Sequence, residues 1–170
     1  MSYSRTNEKA ESTAQAIIQA IGHSEPSLRN LREWLMDNFG IKFIVTPTDL
    51  SNIPVCGLVY FDPKIKSYRV RVEQTDSTER QRYTVVHEIA HILRERELIY
   101  GFFDGDVQNP DLEERFCNRF AAAFLMPEKA FKQKWTSTSS NLLLKRYSIA
   151  QHFGVSKETV MYRALELGLS

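Results

Sequence analysis

Apolar positions recur along this chain at two periods, and the places where each starts and stops divide the sequence into elements. After a loose polar start, "AESTAQAIIQAIG" reads as a helix with Ile17, Ile18 and Ile21 on one side. In "EPSLRNLREWLMDNFG", Leu28, Leu31, Trp34 and Leu35 follow the 3.6-residue period, Pro26 suits an early position and Gly40 the stop. "IKFIVTP" is a strand candidate. "IPVCGLVYFD" and "SYRVRVE" read as a hairpin joined by "PKIK", since Tyr68, Val70 and Val72 alternate with Arg69, Arg71 and Glu73. The longest helical pattern carries Tyr83, Val86, Ala90 and Leu93, with Asp76 and Glu79 as a capping box at its start. "YGFFDGDVQNPD" is a loop. "LEERFCNRFAAAFLM" is a further helix closed by Pro127, "KQKWTSTSSN" a polar linker, and the last thirty residues two or three short helices.

The longest helical pattern contains "HEIAH", residues 87 to 91. Residues four apart on a helix differ by about 40° in direction, so His87 and His91 project from one face and can share a metal ion. Glu88 points about 100° away from His87, beside the ion rather than on it, which suits a base that takes a proton from a bound water. The competing reading is a pair of hydrogen-bonded, inert histidines. By ordinary residue frequencies this pentapeptide arises by accident in fewer than about one in a hundred chains of this size, and the metal is favoured.

A hydrolytic site of this kind takes a third ligand from a following helix, and "LEERFCNRFAAAF" offers Glu113 and Glu114. Glu114 and Asn118 are four apart and share a face, so Asn118 can orient a ligating histidine while Glu114 binds. That pairing favours Glu114, with Glu113 as competitor. Both carboxylates could equally serve a solvated helix start, favoured by the macrodipole. The small Ala90 and Ala121 to Ala123 allow the two helices to approach closely.

"RYTVVHEIAHIL" followed by "EERFCNRFAAAFLMP" resembles the ImmA/IrrE family of small metallopeptidases, specifically over residues 80 to 127. The family's second motif has the form E-x-x-A-N-x-F-A, running into Leu-Met-Pro. The resemblance places the third ligand on Glu114 and the amide on Asn118, and extends to Phe120, Ala121, Leu125, Met126 and Pro127. Ala90 replaces a common glycine and Cys117 an alanine, both small changes. The resemblance implies a cytoplasmic zinc endopeptidase that cleaves a protein partner. That partner would be a helix-turn-helix repressor of a mobile element or stress regulon, encoded nearby, and its cleavage would relieve repression. Manganese is the alternative to zinc as the single divalent ion.

Net charge is +1 over 170 residues, which gives no support to broad nucleic-acid or membrane-surface binding. No apolar run approaches the ~20 residues of a membrane span, and the N-terminus carries no signal-peptide core; a cytoplasmic location is expected. Cys56 and Cys117 both sit in apolar stretches without metal-ligand spacing and read as buried thiols. Met126 reads as core, and His23 and His152 as surface or cap residues. Gly57 marks a candidate edge strand that could hold substrate backbone, or else a plain bulged hairpin.

The expected fold is α+β: a small, mostly antiparallel sheet packed on zincin-like helices, with a helix-turn-helix-like unit at the C-terminus. The expected division is a metallopeptidase domain over 1–133, a linker over 134–141 and the C-terminal unit over 142–170. In that unit Ala150, Gly154, Val155 and Val160 have the rhythm of a DNA-binding motif, which makes a DNA-binding regulator with a structural metal the alternative function. Against it, Lys145, Arg146, Lys157 and Arg163 face two acidic residues, a thin footprint for DNA, and Arg163 stands where such motifs are apolar.

Overall fold

The computed structural model describes residues 3–98 and 109–169. Seven helices and three strands lie among them: α1 (Tyr3–Ile21), α2 (Leu28–Phe39), β1 (Phe43–Thr48), β2 (Gly57–Asp62), β3 (Ser67–Glu73), α3 (Thr78–Glu95), α4 (Pro110–Leu125), α5 (Glu128–Ser137), α6 (Leu142–Phe153) and α7 (Lys157–Glu166). The α+β class stands.

The sheet is mixed. Its order is β1-β3-β2, with β2 antiparallel to β3 and β1 parallel to it. Side-chain alternation shows which face is wet but not which way a neighbour runs, so the parallel ladder has no signature in the pattern. Tyr68, Val70 and Val72 of the central strand are buried and face α3, while Arg69, between Ile44 and Tyr60, and Arg71, between Thr46 and Leu58, face outward. Pro47 is tolerated because β1 is an edge.

α3 lies against the sheet, α4 packs on α3, and α1 runs along α4. Helix α1 begins at Tyr3, well before the expected start at Ala10. Ala10, Ala14 and Ile17 form a small-residue stripe buried in the core, and its polar side is tied down by Asn7, which accepts from Arg115 Nε at 2.9 Å. Helix α3 is capped by Ser77, whose hydroxyl accepts from Arg80 N, rather than by Asp76; Asp76 instead pairs with Arg80 at 3.1 Å. Gly40 ends α2 in the left-handed region as anticipated.

The first half of the segment expected to be a linker, residues 134–137, is helical. α5 continues to Ser137 because Phe131 and Trp135, four apart, are both buried, and Phe131 stacks on Phe153 of α6 at 5.9 Å. The α6–α7 unit therefore joins the core of the rest of the chain through Ile149, Phe153, Val155 and Val160. Arg82 of α3 strengthens the junction, donating to the carbonyl oxygens of Phe153 at 2.6 Å and Gly154 at 3.2 Å. A guanidinium here also opposes the negative end of the α6 dipole.

Candidate metal centre

His87 and His91 lie one turn apart on α3, and both rings are aimed at α4. His87 Nδ1 donates to Asn118 Oδ1 at 3.1 Å, and His91 Nδ1 to Glu113 Oε1 at 2.8 Å. Each bond fixes the proton on Nδ1 and leaves the Nε2 lone pair free, which is how histidines are prepared for a metal. The two Nε2 atoms stand 3.2 Å apart. Glu114 Oε2 lies 3.3 Å from His87 Nε2, and Glu114 Oε1 3.2 Å from His91 Nε2.

Those separations test whether an ion fits. Ligands about 2.0–2.1 Å from a tetrahedral zinc must lie roughly 3.3 Å from one another. Three donor groups meet that spacing, and Glu114 remains accessible to solvent. Burial and the neighbouring His91 lower the pKa of His87, keeping it in the neutral form that binds metal.

Cys117 also brings its sulfur near both imidazoles, within 4.8 Å. Its thiol pKa is raised by burial first and by Glu113, Glu114 and Glu88 next, so the metal-free protein keeps it protonated. The Glu114 oxygens stand at ligand-to-ligand distance from both Nε2 atoms. Cys56, expected to be buried, is exposed and accepts a weak hydrogen bond from Arg80 at 3.6 Å.

Glu88 is 6% exposed and turned towards β2. Burial pushes its pKa up to about 7, opposed by His91 and reinforced by Glu114. A carboxylate near that value can both take and return a proton at neutral pH. Gly57 explains how it fits. A Cβ at position 57 would lie 2.4 Å from Thr84 Cγ2 and 2.6 Å from Glu88 Oε1. The glycine thus makes room for the helix and its carboxylate, and β2 is an edge of the sheet whose start lines the cleft.

In the sequence Glu113 stands only as a rival ligand. In the structure it holds His91 and is itself held by Arg94 Nη1 at 2.8 Å. The available signal is the pair of adjacent acids, Glu113 on the Nδ1 side of the His91 ring and Glu114 on its Nε2 side. Tyr83 belongs to the helical stripe in the sequence pattern, yet its hydroxyl donates to Asn118 O at 2.8 Å and pins α3 to α4. His152 stands apart, paired with Glu25 at 2.9 Å, and Met126 is buried as expected. Of the loop expected over 100–111, residues 100–108 lie outside the described residues, while Asn109 caps α4 and Pro110 and Asp111 begin it.

His87, Glu88, His91, Glu113, Glu114 and Asn118 open into one cleft of about 1190 Å³, bounded by α3, α4, the start of β2 and the first turn of α7. A family model described as the IrrE N-terminal-like domain, a peptidase family, matches residues 36–165. The chain belongs to this family. The metal-site helices fall wholly inside that match, whereas α1, which packs along α4, falls outside it. Among solved structures, a Mycobacterium tuberculosis transcriptional regulator is similar, with a TM-score of 0.61 and 21% identity over 95% of this chain and 48% of that chain. At that identity the likeness shows the fold, and this chain spans about half the length of that protein. No curated protein matches the chain. Among the described residues no helix is long and apolar enough to cross a membrane.

Proposed function

We propose that the protein is a zinc-dependent endopeptidase that hydrolyses a peptide bond in a protein partner. The observation that carries this reading is the spacing of the His87, His91 and Glu114 donors at 3.2–3.3 Å, with Glu88 buried beside them. His87, His91 and Glu114 would hold a zinc ion, which would supply an activated water and polarise the scissile carbonyl. Glu88 is placed to take up a proton on its carboxylate and return it to the leaving amine. Asn118 and Glu113 hold the imidazoles in the metal-binding tautomer. The cleft runs beside an α3 of eighteen residues, about 27 Å, which accommodates roughly eight residues of extended chain. An open groove of that length suits cutting within a chain rather than trimming an end.

The partner we propose is a helix-turn-helix repressor encoded nearby, as the family resemblance implies, and cleavage relieves repression. Membership of a peptidase family supports the protein substrate. The burial of Arg163 weighs against the alternative, direct DNA binding by α6–α7. That side chain is fully buried, pairs with Glu11 and donates to Met126 O at 3.1 Å, so it cannot meet a phosphate. Co-expression with the neighbouring repressor tests the reading. Repressor fragments should accumulate with the natural protein and not with Glu88→Gln; an intact repressor in both cultures, with a salt-sensitive promoter complex surviving the substitution, would favour the DNA-binding alternative.

A further inference from the structure

The cleft is acidic although the chain is nearly neutral. A divalent ion would offset Glu88 and Glu114. The other charged residues among the described lining are four carboxylates, Asp76, Glu95, Glu113 and Glu158, against the two guanidiniums of Arg80 and Arg94. The guanidiniums are engaged within the protein, Arg80 by Asp76 and Arg94 by Glu113. Glu95 accepts from the Tyr68 hydroxyl at 3.1 Å. Glu158 is the carboxylate that the C-terminal unit contributes. It is exposed in the first turn of α7, where Ser156 and Thr159 also line the cleft.

The position of that turn follows from α3. Arg82 holds the carbonyl oxygens of Phe153 and Gly154 at the end of α6, just before Val155 and Ser156. The first turn of α7 therefore flanks the same groove that the imidazoles line. The unit is not free to swing away. Arg163 is buried against Glu11, Arg119 bridges Glu11 and Glu166 at 2.6 Å each, and these pairs lock α7 to α1 and α4.

We propose that the α6–α7 unit is a wall of the substrate groove, and that Glu158 selects segments with a Lys or Arg near the scissile bond. The inference rests on the peptidase reading for its meaning, but it can be tested without turnover. The probes are labelled, otherwise uncharged octapeptides carrying one Lys or one Glu at successive positions, titrated into zinc-loaded Glu88→Gln protein. Lys peptides should bind about three- to tenfold more tightly than Glu peptides at low salt. Adding Glu158→Gln should shrink that ratio, and Glu158→Lys should invert it, with zinc content unchanged. Equal binding of the two series, or a preference that persists in both Glu158 variants, would overturn the proposal. Cleavage of the same peptides by the natural protein reports on the peptidase reading separately: a Glu158-dependent preference without cleavage would leave the groove assignment standing and remove the chemistry.

Discussion

Two helix pairs in this molecule use polar side chains in opposite ways. In α3–α4, His87, His91 and Glu114 converge on one solvent-reached point with Glu88 buried in the wall of the same cleft, and the histidines' supports, Asn118 and Glu113, leave metal-binding lone pairs free. In α6–α7, the most deeply placed charge, Arg163, is taken up by Glu11 and Met126 O, and the outer surface shows Leu143, Leu144, Tyr147, Tyr162 and Leu165. Polarity builds a site in the first arrangement and holds the fold together in the second. A two-helix motif in a sequence thus says little about function until the destination of its charges is known.

The sharpest way to break the comparison is to remove a donor from the first pair. His87→Ala and His91→Ala should abolish zinc binding, and Glu114→Ala should weaken it far more than Glu113→Ala, as read by competition with a chromophoric chelator. A larger loss in the Glu113 variant would exchange the two acids' roles. The complementary cut is in the second pair. Arg163→Ala leaves Glu11 with one fewer partner in a buried setting and should cost about 3–5 kcal/mol by denaturant unfolding. A loss below about 1 kcal/mol would mean that α7 is only loosely held.

Much of the first pair is legible in the sequence, because the chemistry of "HEIAH" and the Glu114–Asn118 spacing are local helical periods. The bond from Glu113 to His91 is not, since it depends on how α3 crosses α4. The helix over α5 is hidden because Ser and Thr dominate "KQKWTSTSSN", and burial of Trp135 outweighs their weak helix preference. The exposure of Cys56 and the parallel β1–β3 ladder likewise depend on long-range placement. Ser77 lies beside Asp76 as an equally good cap, and local preference cannot choose between them.

A third effect belongs to Glu88 in the metal-free protein. Its pKa rises from 4.5 to about 7 on folding, because burial disfavours the charged form. A raised folded pKa gives a stability contribution that is fully present below pH 4.5 and is lost as pH rises through 7. Stripped Glu88→Gln should therefore gain on stripped natural protein between about pH 4.5 and 8, by up to about 3 kcal/mol. Parallel stability curves across that range would show that Glu88 is solvated. The smallest effects sharpen the supports: Asn118→Ala and Glu113→Ala should each weaken zinc by roughly 10–100-fold. Cys117→Ala should leave affinity almost unchanged, and a loss as large as that of Glu114→Ala would make the sulfur a ligand.

The central claim is that three side chains hold the ion and a fourth moves the proton. Zinc content and partner cleavage, measured side by side on purified natural protein and Glu88→Gln, test it most directly. The account predicts about one zinc per chain in both proteins and cleavage only in the first. Zinc missing from Glu88→Gln, or cleavage undiminished in it, would contradict the assignment.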